Sequence, residues 1–161
     1  MTLVSRLLPE TRVLVDLDVS SKKRLFEQVG LLFENGIGVA AAAVYDSLFA
    51  RERLGSTGLG QGIALPHGRI RSLREAACAF VRLREPIAFE SPDGNPVQLV
   101  FVLLVPEKAT DVHLQILSEI AEMFSDRTLR EAVEHAIDAA EVHRLITTWE
   151  PHAPAQRRTA V

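Results

Sequence analysis

Residues 51–69 read RERLGSTGLGQGIALPHGR, with glycines at 55, 58, 60 and 62 and then Pro66-His67-Gly68. Pro66 fixes its own φ and pushes Leu65 toward an extended conformation. Gly68 permits a positive φ or a close backbone approach just after the histidine. Ile63, Ala64 and Leu65 read as a short apolar strand, so His67 is presented at a strand end among small residues. An imidazole placed there could take a phosphoryl group, bind a metal or move a proton. The plain alternative is a solvent-facing turn histidine with no chemistry.

Upstream of this stretch the pattern is helical. Ser20 and Ser21 offer an N-cap for a helix over 22–34, with Leu25, Val29, Leu32 and Phe33 as its apolar stripe. Asn35-Gly36 is expected to close it, with glycine in the left-handed position. A second helix over 40–53 carries Val44, Leu48 and Phe49 on one face and Arg51 and Arg53 in its last turn. Residues 1–19 read as a loop with one short strand.

Downstream the period changes to that of strands. Residues 77–83 place Cys78, Phe80 and Arg82 on one face, and 87–89 read as a second short strand. Ser91-Pro92-Asp93-Gly94-Asn95 is a turn. The run VQLVFVLLV at 97–105, bounded by Pro96 and Pro106, predicts a central strand buried on both faces. Thr110 caps a helix over 111–124 whose inward stripe is His113, Ile116, Leu117, Ile120 and Phe124. Short helices over 129–135 and 139–149 follow; Ser125 or Asp126 can cap the first, and Asp138 with Glu141 forms a capping box for the second. Strands interleaved with helices predict an α/β or α+β architecture, a mixed sheet covered by helices. One domain is expected over 1–150, and the polar, proline-containing 151–161 reads as a disordered tail.

Composition narrows the function. A chain of 161 residues, 47% hydrophobic, can bury a sizeable core. The net charge of −3, from 18 basic and 21 acidic residues, leaves no electrostatic footprint for nucleic acid or an anionic membrane. Cys78 is the only cysteine, so no intrachain disulfide forms, which fits a reducing compartment. No apolar run approaches the roughly 20 residues needed to span a bilayer. The expectation is a cytoplasmic protein with no membrane insertion.

His113 is the second informative histidine, in the first turn of its helix and on the inward stripe. The positive helix end favours a nearby anion, and an imidazole there could donate a hydrogen bond to a phosphate oxygen. A core histidine bonded to a carbonyl is the alternative. Arg51 could close an anion site with its guanidinium fork, or simply offset the helix dipole, and Arg53 and Arg69 share that ambiguity. The glycines at 55, 58, 60 and 62 could expose backbone N–H groups as an anion-binding concavity. They match neither a nucleotide P-loop nor a dinucleotide fingerprint. Zinc on His67, His113 and Asp111 lacks a supporting ligand motif, and Ser56 lies outside a G-x-S-x-G elbow. A pure anion- or protein-binding module and a metal-dependent hydrolase therefore stand as rival classes.

RERLGSTGLGQGIALPHGR together with the distant LLVPEKATDVHLQIL resembles the fructose/mannitol type of enzyme IIA of the bacterial phosphoenolpyruvate phosphotransferase system. The Gly-Ser-Thr-Gly segment and the lack of a transporter domain resemble its nitrogen-regulatory branch. The likeness covers about residues 3–149. It implies a mixed β-sheet flanked by helices on both sides, and a phosphohistidine relay with no cofactor. The phosphorylated histidine of the family falls on His67, the supporting histidine on His113 and the arginine on Arg51. The resemblance implies Nε2 as the reacting nitrogen. It also implies an HPr/NPr-like phosphocarrier protein as donor, and regulated proteins such as transporters or sensor kinases as targets. Docking of that donor is expected over Gly58, Gly60, Gly62, Ala64 and Gly68, with Leu59, Ile63 and Ile70 as an apolar rim.

Overall fold

The computed structural model describes residues 2–108 and 110–151, so the tail expected over 151–161 lies, but for Pro151, outside the described residues. Helix α1 (Leu3–Leu7) starts on Thr2, whose Oγ1 accepts the Ser5 N–H at 3.2 Å. A 3-10 turn (Glu10–Arg12) leads into strand β1 (Val13–Leu17). Helix α2 (Lys22–Ile37) begins on Ser21, and helix α3 (Ala41–Glu52) follows. Three short strands come next: β2 (Gly58–Gly60), β3 (Ile63–Ala64) and β4 (His67–Ile70). The two long strands are β5 (Ala77–Ile87) and β6 (Val97–Pro106). Helices α4 (Asp111–Ser125), α5 (Arg127–His135) and α6 (Ala139–Thr147) complete the domain.

The sheet order is β1-β5-β6-β3-β2, with β4 also paired to β6. Strand β5 runs antiparallel to β6, whereas β3 and β4 run parallel to it, so the sheet is mixed as expected. Strands β3 and β4 lie end to end along one edge of β6, with Ile63 opposite Leu99 and His67 opposite Leu103. Pro66 falls in the break between them. Its missing N–H costs no ladder bond there, and its carbonyl accepts the Leu103 N–H at 3.0 Å.

Strand β6 is buried on both faces, as its continuous apolar run requires. One face packs Phe80, Phe101 and Leu103 against α1, α4, α5 and α6, with the rings of Phe80 and Phe124 stacked at 5.7 Å. The other packs Val81, Val100 and Val102 against Leu25, Phe26 and Phe33 of α2 and Val44 and Leu48 of α3. Helices thus cover both sides of the sheet, in three layers. Among the described residues no helix is long and apolar enough to cross a membrane.

Four local expectations are corrected. Residues 3–7 are a helix rather than loop, because Thr2 caps them and Val4 is buried against the α4 side. Helix α2 passes through Asn35-Gly36 and ends at Gly38, at φ 73°, whose N–H caps the Glu34 carbonyl. Gly36 instead packs beside the Arg12 side chain, 3.5 Å from where a Cβ would stand. The strands expected over 77–83 and 87–89 are largely one, β5, with a register shift between Arg82 and Ile87 around Pro86. His67, expected at the end of the strand over 63–65, instead opens the separate strand β4.

Candidate functional site

Strand β4 lies at the sheet edge with α3 on one side and the start of α4 on the other. The three elements enclose a cleft of about 640 Å³ that is lined by Arg51 and Leu54, by His67 and Arg69, and by His113 and Leu114. The structure therefore brings His67, His113 and Arg51, which lie far apart in the sequence, to one cleft. Gly68 makes this possible by close approach rather than by a left-handed φ. A Cβ there would stand 2.2 Å from Ser47 Oγ of α3, and that hydroxyl donates to the Arg69 carbonyl at 2.8 Å.

His67 is half-buried, and its Nδ1 lies 2.9 Å from the Leu65 carbonyl oxygen. A carbonyl only accepts, so Nδ1 carries the hydrogen and Nε2 keeps its lone pair. Burial pushes the imidazole below its ordinary value, and the nearby Arg51 cation acts in the same direction. The Leu65 carbonyl and the Glu52 carboxylate oppose that shift without reversing it. The unprotonated ring is the form that can act as a nucleophile.

His113 is the third residue of α4. It takes the place that Glu or Gln holds in a capping box, with its Nδ1 accepting the Thr110 N–H at 2.8 Å. An N–H only donates, so in this bond the ring hydrogen sits on Nε2. Arg51, in the last turn of α3, donates from Nη1 to the Gly55 carbonyl at 2.8 Å. That bond turns the guanidinium back over the start of the Gly-rich loop. Among the described residues Arg51 has no ion pair with a carboxylate, so its charge is not neutralised locally.

The glycines do something other than expected. Gly58, Gly60 and Gly62 belong to the β2–β3 hairpin, with Gly60 at φ 87° and Gly62 at φ 77° around Gln61. None of the three lines the His67 cleft; Gly60 lines a separate hollow with Leu59, Ile63 and Arg130. Gly58, Gly60 and Gly62 thus stand apart from the lining of the cleft, whereas the Gly55 carbonyl accepts from Arg51. Of the three residues expected to form an apolar rim if exposed, one is exposed. Ile63 and Ile70 are buried and Leu59 faces the other hollow, whereas Leu54 and Leu114 stand 85% and 62% exposed at the cleft. Asp111 and Arg53 do not line the cleft, and the described residues bring no three His, Cys, Asp or Glu together as a metal site. Ser56 Oγ accepts the Gly58 N–H and donates to the Phe89 carbonyl, away from both histidines.

Sequence reasoning missed Glu52. It is buried, and its carboxylate accepts the Thr57 N–H at 3.0 Å, the Thr57 hydroxyl at 2.8 Å and the Lys22 ammonium at 3.1 Å. The available signal was spacing: Val44, Leu48 and Glu52 recur every four residues and are the three buried positions of α3.

Residues 6–149 match the family described as phosphoenolpyruvate-dependent sugar phosphotransferase system, EIIA 2. The nitrogen regulatory protein of Pseudomonas aeruginosa is 38% identical over 147 residues, covering 91% of this chain and 96% of that protein. The crystal structure of nitrogen regulatory protein IIA-Ntr from Neisseria meningitidis matches with a TM-score of 0.85 at 49% identity, over 90% of this chain and 99% of that one. IIA mannitol from Escherichia coli shares the fold, with a TM-score of 0.73 at 20% identity over 86% and 97% of the two chains. The chain belongs to the EIIA 2 family of the phosphoenolpyruvate-dependent sugar phosphotransferase system, with nitrogen regulatory proteins among its relatives.

Proposed function

We propose that His67 accepts a phosphoryl group on Nε2 from the phosphohistidine of a small phosphocarrier protein, and that the resulting phosphorylation state regulates other proteins in the cytoplasm. Family membership supports a regulatory role in the phosphotransferase system with a phosphocarrier among the partners. The observation that carries the residue assignment is the Leu65 bond, which engages Nδ1 and leaves Nε2 as the ring's nucleophile.

In the transfer, the Nε2 lone pair attacks phosphorus in line. The donor's N–P bond breaks, its electron pair returns to the donor ring, and a new N–P bond forms on His67. The hydrogen on Nδ1 stays where it is, so no proton has to move. Such a transition state spreads negative charge over three equatorial oxygens and needs charge stabilisation more than covalent machinery. His113 Nε2–H and the Arg51 guanidinium supply a donor and a cation at the same cleft.

The test is acid-labile labelling of the full chain by phosphoenolpyruvate and the upstream phosphotransfer proteins. Labelling that His67→Ala abolishes supports the relay. Reversible anion binding in the cleft without labelling would return the protein to the class of binding modules.

A further inference from the structure

A continuous hydrogen-bonded chain runs from a buried carboxylate to the ring of His67. Glu52 accepts the Thr57 N–H at 3.0 Å. The Thr57 carbonyl accepts the Leu65 N–H at 2.9 Å. The Leu65 carbonyl accepts the His67 Nδ1–H at 2.9 Å. Every link points the same way: Thr57 donates to Glu52, Leu65 donates to Thr57 and His67 donates to Leu65, with the Cα atoms of Thr57 and Leu65 joining successive links. The series therefore fixes position: Glu52 holds Thr57, Thr57 holds Leu65, and the Leu65 carbonyl holds the ring, while the Glu52 charge also acts on the imidazole through space.

Glu52 has no evident reason to be where it is on grounds of helix stability. It is the last residue of α3, at the negative end of the helix, where a carboxylate is unfavourable. It is also 8% exposed, and a buried charge costs stability unless it is well bonded. Its partners are the Thr57 N–H and hydroxyl and the Lys22 ammonium, which also pairs with Glu90. The contacts hold together the first turn of α2, the end of α3 and the loop that leads to the β2–β3 hairpin.

We propose that Glu52 is a positioning residue for His67, acting through Thr57 and Leu65 to hold the ring in its Nδ1–H form with Nε2 open to phosphorus. The inference rests on the relay reading above. Glu52 itself lines no part of the cleft, so it touches neither donor nor phosphoryl group. Its action is on tautomer, ring orientation and Nε2 basicity. The charged and titratable groups that face His67 are Arg51 and Glu52 from α3, Arg69 on β4 itself and His113 from α4; β6 offers only Leu103 and Val105. Of these, Glu52 is the one bonded into the chain that ends on Nδ1.

The experiment is a long-range nitrogen–proton correlation spectrum of the full-length, histidine-labelled protein, recorded from acid to neutral pH for the parent and for Glu52→Gln. Phosphoryl transfer from the phosphocarrier is followed in the same buffer. Glutamine keeps the shape and one acceptor but loses the charge. The expected result is a smaller Nδ1–H population on His67 and a titration midpoint displaced further to acid. The kcat for acceptance should fall about tenfold, the low end for losing a partner that orients a reactive histidine, with KM for the donor unchanged. A folded Glu52→Gln protein with the parent's ring signals and the parent's kcat would overturn the proposal. If that variant does not fold, Glu52→Asp replaces it, since it keeps the charge and draws the carboxylate back from the Thr57 N–H. A His67 ring shift in the same direction supports the proposal, and a spectrum superimposable on the parent's overturns it. The ring spectra need no phosphorylation, so a parent protein that takes no label would refute the relay while leaving this inference separately tested.

Discussion

His67 and His113 engage the same ring atom in opposite roles: Nδ1 of His67 donates to the Leu65 carbonyl at 2.9 Å, whereas Nδ1 of His113 accepts the Thr110 N–H at 2.8 Å. The two rings therefore bring different groups to one cleft, a lone pair from the first and an N–H from the second. A phosphoryl group needs both, a nucleophile at phosphorus and a donor at its oxygens. Backbone bonds on both sides fix this division before any partner arrives.

His113→Ala should slow phosphoryl acceptance by about 100-fold, the lower end of what loss of one preorganised donor costs, with the label still on His67. It should also cost about 1 kcal/mol through the lost helix cap. His113→Gln separates the two effects, because glutamine at this position accepts the Thr110 N–H in a capping box. Thermal melts should show its stability restored, and rapid-quench kinetics should show the rate only partly restored. A wild-type rate in both variants would reduce His113 to a capping residue.

The pH dependence follows from burial of His67. Its folded value lies below the ordinary imidazole value of about 6.5. The nucleophilic ring thus persists as pH falls through 6.5, and the acid limb of the acceptance rate should appear below that point. The unfolded chain takes up the proton first on acidification. Stability contributed by the neutral, buried ring is therefore complete above about pH 6.5 and is lost as pH falls from there toward the folded value. Denaturant titrations of the parent and His67→Ala should diverge in their pH slope only within that window. Parallel slopes would contradict a depressed His67.

Much of this was legible in the sequence, for identifiable reasons. The run at 97–105 read as a strand buried on both faces because its β-branched content and flanking prolines disfavour a buried helix, and the stripes of α2 and α4 followed the helical period. Pro66 and Gly68 marked where the chain brings a histidine to an edge. The hairpin was less legible, since a cluster of glycines reads alike whether it cradles an anion or turns a strand. Only the pairing of β2 with β3 decides between them. Ile63 and Ile70 were expected at the rim because exposure cannot be read from residues that border a loop. Glu52 was missed because a carboxylate in a helix end reads as a solvated charge until its partners, Thr57 and Lys22, are seen.

Gly68→Ala tests how α3 is seated on β4. The new Cβ would stand 2.2 Å from Ser47 Oγ and 3.1 Å from the Ser47 carbonyl carbon. The hydroxyl could rotate away only by leaving the Arg69 carbonyl, and the Ser47 backbone could yield only by shifting α3. The expected loss is about 1–3 kcal/mol by urea unfolding, with slower phosphoryl acceptance as His67 shifts. Unchanged stability would mean that α3 is free to move outward.

Leu54 and Leu114 flank the cleft and are the exposed apolar groups that an approaching phosphocarrier would meet. Leu54→Gln and Leu114→Gln should raise KM for the protein donor about tenfold with little change in kcat, as expected where only encounter is weakened. Stability should stay within about 0.5 kcal/mol, since both side chains are exposed. Leu59→Gln, on the separate hollow, should change neither parameter. An effect of Leu59 equal to that of Leu54 would return the docking surface to the hairpin.

The most direct measurement is the intact mass and labelling position of the protein after incubation with phosphoenolpyruvate and the upstream phosphotransfer proteins. The predicted result is a single acid-labile phosphoryl group, bonded to Nε2 of His67 by phosphorus–nitrogen NMR and absent from a folded His67→Ala variant. No gain in mass, or full labelling of His67→Ala, would contradict the account.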